Sequence, residues 1–294
     1  MPIRMTLPQT LTARIAASDR PLVGMWVCSG SPIMAELAAG SGLDWVLIDA
    51  EHSPNGLESI LSQLYAVSAY PVAPVVRPPI GDAVVIKQYL DLGVQNLLVP
   101  MVDSAAQAAE LARAVRYPTG GVRGVGASLA RSSRWNRIDR YLPDASSTIS
   151  LTVQIESAAA VEAAPEIAAV DGVDALFVGP ADLAASMGLL GQPSHPDVVE
   201  GVLRSIRAGA AAGTPVGVNA FAPADADRYI AAGAAFVAVG ADVAIVARAS
   251  EALADRYIRS EDAAEDAADT ATNVTTNVPA PGPAGTPSKP RANY

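Results

Sequence analysis

Cysteine and lysine, the two most nucleophilic side chains, are nearly absent from this 294-residue chain. The single cysteine, Cys28, cannot form an internal disulfide, so we expect a reducing compartment. The two lysines are Lys87, which lies in a helical pattern, and Lys289, which lies close to the end of the sequence. Because neither lies in an apolar run of the kind that forms a buried strand, the sequence argues against a lysine that forms a Schiff base with a substrate.

Positive charge and long apolar runs are also scarce. Lysine and arginine total 20 against 30 acids, a net charge of −10, which argues against nucleic acid as a partner. The first 20 residues lack the continuous apolar segment of a secretory signal, and no later segment has the ~18 uncharged apolar residues of a membrane helix. We therefore expect a cytoplasmic protein without a membrane partner.

Apolar, β-rich runs alternate with helical patterns through most of the chain. No G-x-G-x-x-G turn follows the first run, as an open dinucleotide-binding sheet would require. Strand followed by helix, repeated about eight times, predicts an α/β protein of the (β/α)8 TIM-barrel class. The eight runs are LVGMWV, DWVLID, VAPVVR, QNLLVP, ISLTVQI, DALFVG, PVGVN and AAFVAVG.

Two segments depart from this alternation. Residues 260–294 are rich in acids, proline, threonine and alanine, which predicts a disordered tail after a barrel domain of residues 1–259. The connection 118–147 is long for a compact domain, and such connections are often lids or binding loops. It carries five arginines, which would suit a substrate carboxylate but are more often solvated or paired: Arg123, Arg131, Arg134, Arg137 and Arg140.

Two acids each lie just beyond a predicted strand, Glu156 in VQIES and Asp182 in FVGPADLAASMG. Catalytic groups of such barrels lie at the carboxyl ends of the strands, so the two carboxylates are expected at one rim. Hard oxygen ligands predict a divalent metal there, Mg²⁺, Mn²⁺ or Co²⁺. Alternatively, each acid only stabilises the start of a helix.

Other polar groups are placed in the same way. Gln154 ends the fifth strand as a candidate substrate ligand, and Arg77 ends the third, where it would stabilise an enolate oxygen or form a structural ion pair. His52 follows the second strand as a candidate acid/base, with Asp91 as a possible partner that sequence spacing cannot place. The other histidine, His195, is expected to be structural.

A helix follows the sixth strand directly, and its first backbone N–H groups are candidate donors to a substrate carboxylate. The donors that we expect are Gly179, Ala181 and Asp182.

Several segments resemble the HpcH/HpaI family of metal-dependent pyruvate aldolases, in one collinear order from about Pro21 to Ile258. They include DWVLIDAEHSPN, PVVRPP, RYPTGGVRGVGASLARSSRWNRIDRY, VQIES and AVDGVDALFVGPADLAASMG. The resemblance implies a barrel of the phosphoenolpyruvate/pyruvate type. It also implies a homohexamer, a trimer of dimers that exchange a carboxyl-terminal helix, here DVAIVARASEALADRYI.

The resemblance also implies roles for individual residues. Glu156 and Asp182 would bind the metal, and Arg77 would bind the pyruvyl oxygen. His52 and Asp91 would form the acid/base dyad. By the same resemblance, a further acid, Asp49, would line the aldehyde side.

The implied reaction is reversible retro-aldol cleavage of a 4-hydroxy-2-oxo acid. The preferred substrate is 4-hydroxy-2-oxoheptanedioate, cleaved to pyruvate and succinic semialdehyde in the catabolism of aromatic compounds. Three alternatives remain open: a 2-keto-3-deoxy sugar-acid aldolase, an acyl-CoA lyase of the malyl-CoA type, and a non-catalytic binder of 2-oxo acids.

Overall fold

The computed structural model describes residues 3–258, in which eight parallel strands close into a barrel in sequence order. Each strand overlaps the apolar run that predicted it, so the (β/α)8 prediction is confirmed. The strands are β1 (Leu22–Val27), β2 (Trp45–Asp49), β3 (Ala73–Arg77), β4 (Asn96–Val99), β5 (Ser150–Ile155), β6 (Ala175–Val178), β7 (Val216–Asn219) and β8 (Phe236–Ala241).

Helices lie between consecutive strands, and several begin at residues whose side chains accept backbone hydrogen bonds. Ser31 accepts from Met34 N, and Ser104 accepts from Gln107 N. The helices are α1 (Leu11–Ala17), α2 (Pro32–Ala39), α3 (Leu57–Val67), α4 (Ala83–Asp91), α5 (Ala105–Val115), α6 (Tyr141–Asp144), α7 (Ala158–Glu162), α8 (Ala164–Ala168), α9 (Pro180–Ser186), α10 (Pro196–Ala212), α11 (Pro223–Ala231) and α12 (Asp242–Tyr257).

His195 has the structural role that the sequence predicts. It is the N-cap of α10, where its Nδ1 accepts a hydrogen bond from Asp197 N at 3.2 Å. The ring therefore satisfies one of the free N–H groups at the start of a helix.

Aromatic side chains fill the inside of the barrel. Trp45 makes edge contacts with Phe177 and Phe236, with ring centroids 6.2 and 5.6 Å apart. Two glycines make room for these rings: a Cβ at Gly24 would lie 2.3 Å from Trp45, and one at Gly217 would lie 2.4 Å from Phe236. The inside of the barrel at these rings is thus a packed core.

The long arginine-rich connection joins α5 to β5. It contains short 3-10 turns at Ala127–Leu129, Arg131–Ser133 and Ala145–Thr148, together with α6. A segment that leads from a helix into a strand lies at the amino-terminal rim of a barrel, and the strand ends that carry catalytic groups lie at the other rim. As a lid, it would therefore cover the amino-terminal rim of its own chain.

The chain divides into two units, Met1–Asp242 and Val243–Tyr294. The described part of the second unit is the remainder of α12 and Ile258, a segment that exposes Ile245, Val246 and Leu253. Within residues 3–258, no helix combines the length and the hydrophobicity needed to cross a bilayer. The tail predicted for residues 260–294 lies outside the described residues.

Candidate active site

Arg77 is the fixed centre of the carboxyl-terminal rim. Its buried guanidinium donates from Nε to Asp49 Oδ1 at 2.8 Å, and its Nη1 lies 2.7 Å from Glu51 Oε2. It also stacks on Trp26, with 4.3 Å from Cζ to the ring centroid, and the indole of Trp26 donates to Asn219 Oδ1 at 2.9 Å. The two ion pairs and the aromatic face hold Arg77 in one orientation.

Asp49 organises the segment that follows β2. Its carboxylate accepts from Glu51 N at 3.0 Å, from His52 N at 3.2 Å and from Ser53 Oγ at 3.0 Å. Burial acts to raise the pKa of Asp49, but the hydrogen bond and the charge of Arg77 outweigh it and hold the pKa below its usual value. Asp49 is therefore an ionised anchor for Arg77 and for the backbone around His52.

Glu156 follows β5 directly, and both of its carboxylate oxygens have a donor. Oε1 accepts from Met101 N at 2.7 Å, and Oε2 accepts from Gln154 Nε2 at 2.5 Å. Burial raises the pKa of Glu156 to about 7, and the nearby charges of Asp182 and Glu51 act in the same direction. The site therefore concentrates negative charge that a cation would neutralise.

The backbone also shapes the space around Glu156. Met101 has a φ of +56°, a left-handed conformation that is costly for a residue with a side chain, and its N–H contacts the carboxylate. A Cβ at Gly179 would lie 3.0 Å from both Glu156 Oε2 and Gln154 Nε2. Glycine at 179 therefore keeps space open beside the carboxylate.

Asp182 is the third residue of α9 and is exposed. Its charge raises the pKa of Glu156 and also that of Glu51, in each case after the larger effect of burial. The structure thus brings Asp182, Glu156 and Glu51 into one electrostatic cluster at the carboxyl-terminal rim. Strands β5 and β6 are neighbours, with Ile155 opposite Val178, so their ends deliver these acids to the same place.

The donor set of this cluster suits a hard divalent cation. Glu156 and Asp182 offer carboxylate oxygens, and Gln154 Oε1 is buried without a hydrogen-bond partner. Across residues 3–258, no group of three or more His, Cys, Asp or Glu side chains is arranged to hold a metal. Mg²⁺ is usually held by one or two protein carboxylates, and water or substrate takes the other coordination positions.

The first turn of α9 provides fewer free donors than the sequence suggests. Gly179 N donates to Ile155 O at 3.2 Å, so this N–H is already used between the strand ends. The first hydrogen bond within the helix is donated by Leu183 to Gly179 O at 3.0 Å. The N–H groups of Ala181 and Asp182 precede that bond and are the ones that remain for a ligand.

His52 and Asp91 do not meet within one chain. The His52 side chain is 67% exposed at the carboxyl-terminal rim, with Nε2 3.8 Å from Glu51 Oε2. Asp91 is the last residue of α4, the end that leads into β4, and therefore lies towards the amino-terminal rim. There it pairs with Arg123 Nη2 at 3.1 Å.

Three residues of the site were not predicted as site residues: Glu51, Trp26 and Met101. Glu51 had a signal, because it stands between Asp49 and His52 after β2. No sequence signal indicated Trp26 or Met101. Trp26 acts through the face of its ring against Arg77, and Met101 acts through its backbone N–H to Glu156.

Comparisons with known proteins agree with this geometry. The family model HpcH/HpaI aldolase/citrate lyase matches residues 22–249. The chain is 52% identical to the hydroxypyruvate/pyruvate aldolase of Deinococcus radiodurans over 81% of this chain and 86% of the relative. It is 50% identical to the 4-hydroxy-2-oxo-heptane-1,7-dioate aldolase of Shigella sonnei over 82% of this chain and 92% of that one.

A solved structure supports the same assignment. The HpcH/HpaI aldolase/citrate lyase family protein from Burkholderia cenocepacia J2315 superposes with a TM-score of 0.80 at 40% identity, covering 84% of this chain and 98% of the other. The region that the family model matches, residues 22–249, includes all eight strands and every candidate residue of the rim. The chain therefore belongs to the HpcH/HpaI aldolase/citrate lyase family and is a carbon–carbon lyase.

Proposed function

We propose that this protein catalyses the reversible retro-aldol cleavage of a 4-hydroxy-2-oxo acid to pyruvate and an aldehyde. The observation that carries the proposal is the cluster of Glu156, Asp182 and Glu51 beside a rigid Arg77 at the carboxyl-terminal rim. Cleavage next to a 2-oxo acid leaves negative charge on an oxygen, and this rim combines acids that would hold a cation with a fixed guanidinium.

A divalent ion would be held by Glu156 and Asp182. When bound, it would act as a Lewis acid that withdraws electron density from the 2-oxo group. The pKa of Glu156, about 7 without the ion, supports this assignment. A cation stabilises the charged form of a buried carboxylate that lies near other acids. Mg²⁺, Mn²⁺ and Co²⁺ all suit the oxygen ligands.

Arg77 would bind the substrate oxygen on which charge develops. Its Nε and Nη1 are taken by Asp49 and Glu51, so Nη2 is the group that would face the substrate. The N–H groups of Ala181 and Asp182 would hold the carboxylate of the 2-oxo acid, and Gln154 would orient the substrate beside Glu156. Asp49 would line the aldehyde side through the segment that it anchors.

His52 would accept the proton of the C4 hydroxyl group, and the exposure of its ring leaves room for a substrate. Its proposed partner Asp91 lies towards the opposite rim of the same chain, so the dyad requires Asp91 from a second copy. A homohexamer with exchanged helices would allow this arrangement. The exposed apolar side chains of α12, which include Ile245, Val246 and Leu253, support such an exchange.

The preferred substrate is 4-hydroxy-2-oxoheptanedioate, with succinic semialdehyde as the aldehyde product, because a 50% identical relative carries that activity in its name. A second candidate uses hydroxypyruvate as well as pyruvate, and it is favoured by the 52% identical relative. Both reactions would use the same metal and Arg77, and they differ in the substrate groups that the rest of the site must accept. We propose that the protein is cytoplasmic. We also propose that it consists of a barrel domain of residues 1–259 followed by a tail of residues 260–294.

One experiment tests the reaction and the substrate together. Metal-loaded protein is incubated with pyruvate or hydroxypyruvate and a panel of aldehydes, and the products are identified by mass. We expect a new carbon–carbon bond with at least one aldehyde, and no product after complete chelation. Full activity in the chelated protein would contradict the proposal.

The shared dyad has its own test. Variants His52→Ala and Asp91→Ala are each expected to be nearly inactive, since removal of a general acid/base costs about 10²- to 10⁴-fold. When the two variants are unfolded together and refolded as mixed assemblies, some sites regain both residues. Recovery of activity in the mixture supports a dyad between copies, and no recovery, with assembly intact, contradicts it.

A further inference from the structure

A cavity of about 460 Å³ lies at the amino-terminal rim, away from Glu156 and Asp182. It lies between α3, the segment that leads into β4 and the arginine-rich connection. None of the residues that line it is acidic. The lining residues that matter here are Arg14, Tyr65, Gly93, Arg131, Arg134 and Trp135.

Arg131 and Arg134 form the charged side of the cavity. Both are half-buried and donate to backbone carbonyls, Arg131 Nη1 to Leu92 O at 2.9 Å and Arg134 Nη1 to Arg131 O at 2.6 Å. A Cβ at Gly93 would lie within 3 Å of the Nη1 atoms of both, so the two guanidinium groups are close neighbours. Within residues 3–258, neither guanidinium forms an ion pair with a carboxylate, and no acid lines the cavity.

Two desolvated cations side by side are unfavourable for the protein alone. Burial lowers the pKa of Arg134 to about 10, and the charge of Arg131 adds to this effect. Arg14 lines the same cavity, and its buried Nε has no hydrogen-bond partner. An anion in the cavity would offset these costs, because it supplies both a charge and hydrogen-bond acceptors.

The remainder of the lining is aromatic and apolar. Arg131 stacks on Tyr65, with 4.7 Å from Cζ to the ring centroid, and Trp135 lines the cavity next to Arg134. A ligand would therefore meet cations at one side and rings at the other. This combination suits an anion that is carried on an apolar or aromatic body better than a small inorganic ion.

The backbone that presents Arg134 and Trp135 is strained. Arg134, Trp135 and Asn136 have φ values of +52°, +54° and +62°, three consecutive left-handed residues without a glycine. Each costs roughly 1–2 kcal/mol relative to the right-handed conformation. Ser133 holds the turn, with its Oγ donating to Ala127 O and accepting from Asn136 N, so the two side chains are fixed at the cavity wall.

We propose that this cavity binds an organic oxyanion, a carboxylate or a phosphate ester on an apolar body, at a site separate from the carboxyl-terminal rim. Arg131 and Arg134 bind the anionic group, with Arg14 facing the same space. Tyr65 and Trp135 contact the apolar body. Both kinds of headgroup fit the guanidinium pair, so the probes must distinguish them.

The test titrates the full chain with benzoate, phenyl phosphate and inorganic phosphate, and follows the fluorescence of Trp135 with Trp135→Phe as the signal control. We expect saturable binding of benzoate or phenyl phosphate, and the tighter of the two identifies the headgroup. Inorganic phosphate is expected to bind at least about tenfold more weakly, a difference of about 1.4 kcal/mol. Equal binding of inorganic phosphate and phenyl phosphate would overturn the role of the apolar body.

A matched pair of variants places the ligand. Tyr65 is 51% exposed on α3, so its replacement is expected to leave the fold intact. Both Tyr65→Glu and Tyr65→Gln remove the ring that contacts the apolar body, but only Tyr65→Glu puts a carboxylate beside Arg131. Tyr65→Glu should therefore weaken anion binding at least about tenfold more than Tyr65→Gln does. Equal affinity in the two variants, or no saturable binding of any probe to the wild-type chain, overturns the proposal.

Binding at the catalytic rim is separated by a further titration. Glu156→Gln alters the other rim and should leave the affinity for the probe unchanged, and excess pyruvate should not displace the probe. Loss of probe binding in Glu156→Gln, or full displacement by pyruvate, would assign the anion to the catalytic rim and overturn the proposal.

Discussion

Two clusters of charged side chains at opposite rims of the barrel carry opposite charge. At the carboxyl-terminal rim, Glu51, Glu156 and Asp182 surround a guanidinium that is already paired. At the amino-terminal rim, Arg131 and Arg134 line a cavity without an acid. Both clusters are partly desolvated, and each lies beside strained backbone, at Met101 in the first and at 134–136 in the second.

Uncompensated charge of opposite sign therefore lies at two separate places in the molecule, near Glu156 and near Arg134. A cluster of acids around the buried Glu156 would favour a cation, and a pair of half-buried arginines would favour an anion. Both clusters persist only because the surrounding packing holds the groups together. The rims should therefore respond to different ligands and to different substitutions.

Loss of the buried acid at the first rim should have the largest effect. Glu156→Gln keeps the size of the side chain but removes the charge that would hold the metal, so kcat should fall by about 10³-fold or more. Calorimetric titration with Mn²⁺ should show weakened binding in the same variant. The matched control is Glu162→Gln, an exposed acid paired with Arg204, which should retain both.

The same arginine-to-lysine change should differ between the rims. Arg77→Lys cannot bridge Asp49 and Glu51 as a guanidinium does, so kcat/KM should fall by about 10²-fold. Arg140→Lys, in an exposed pair with Asp144 on the amino-terminal side, should stay within about twofold of the wild type, since such pairs contribute little. Steady-state kinetics with one aldehyde measures kcat/KM for both variants. A similar loss of kcat/KM in the two would contradict the difference between the rims.

Sequence patterns predicted the fold well because each barrel strand is buried on both faces. Such strands are continuous apolar runs, and all eight runs became strands of one closed sheet. The rule that catalytic groups lie at the carboxyl ends of strands also placed Glu156, Arg77 and His52 at one rim. The same topological rule puts residues 118–147 at the other rim of their own chain, because they lie between a helix and a strand, and their role as a lid or binding loop stays a prediction.

Details of the site were beyond sequence reasoning wherever backbone or tertiary contacts decide them. The N–H of Gly179 donates to Ile155 O and is not available to a ligand, and no local sequence pattern indicates this bond between strand ends. The partner of Asp91 within the chain is Arg123, 32 residues away in an irregular segment. Met101 serves Glu156 through its main chain, so its side chain carries no signal.

The stability of the metal-free protein should depend on pH through Glu156. Burial raises its pKa to about 7 in the folded state, from 4.5 in the unfolded chain. The folded state therefore holds the proton more tightly, and the resulting stabilisation is full below pH 4.5 and is lost as the pH rises through 7. The loss should be on the order of 3 kcal/mol.

Urea unfolding of chelated protein between about pH 5 and 8 measures this change. Glu156→Gln removes the titrating group and should flatten the dependence on pH. Addition of Mn²⁺ at the upper pH should restore the stability of the wild type and not that of the variant. Equal slopes for wild type and variant would show that another group is responsible.

The smallest effects should come from one methyl group added at each rim. Ala at 179 places a Cβ 3.0 Å from Glu156 Oε2, so metal affinity should fall by about tenfold, as it does when groups around metal ligands are disturbed. Gly93→Ala puts a side chain on a residue with a φ of +91° and brings its Cβ against the guanidinium groups of Arg131 and Arg134. It should lower the free energy of unfolding by about 1–2 kcal/mol and weaken probe binding. Each variant should leave the ligand of the other rim unaffected, because the two glycines share no contact residue. If Gly179→Ala weakened the anion probe as much as Mn²⁺, the two rims would form one coupled site.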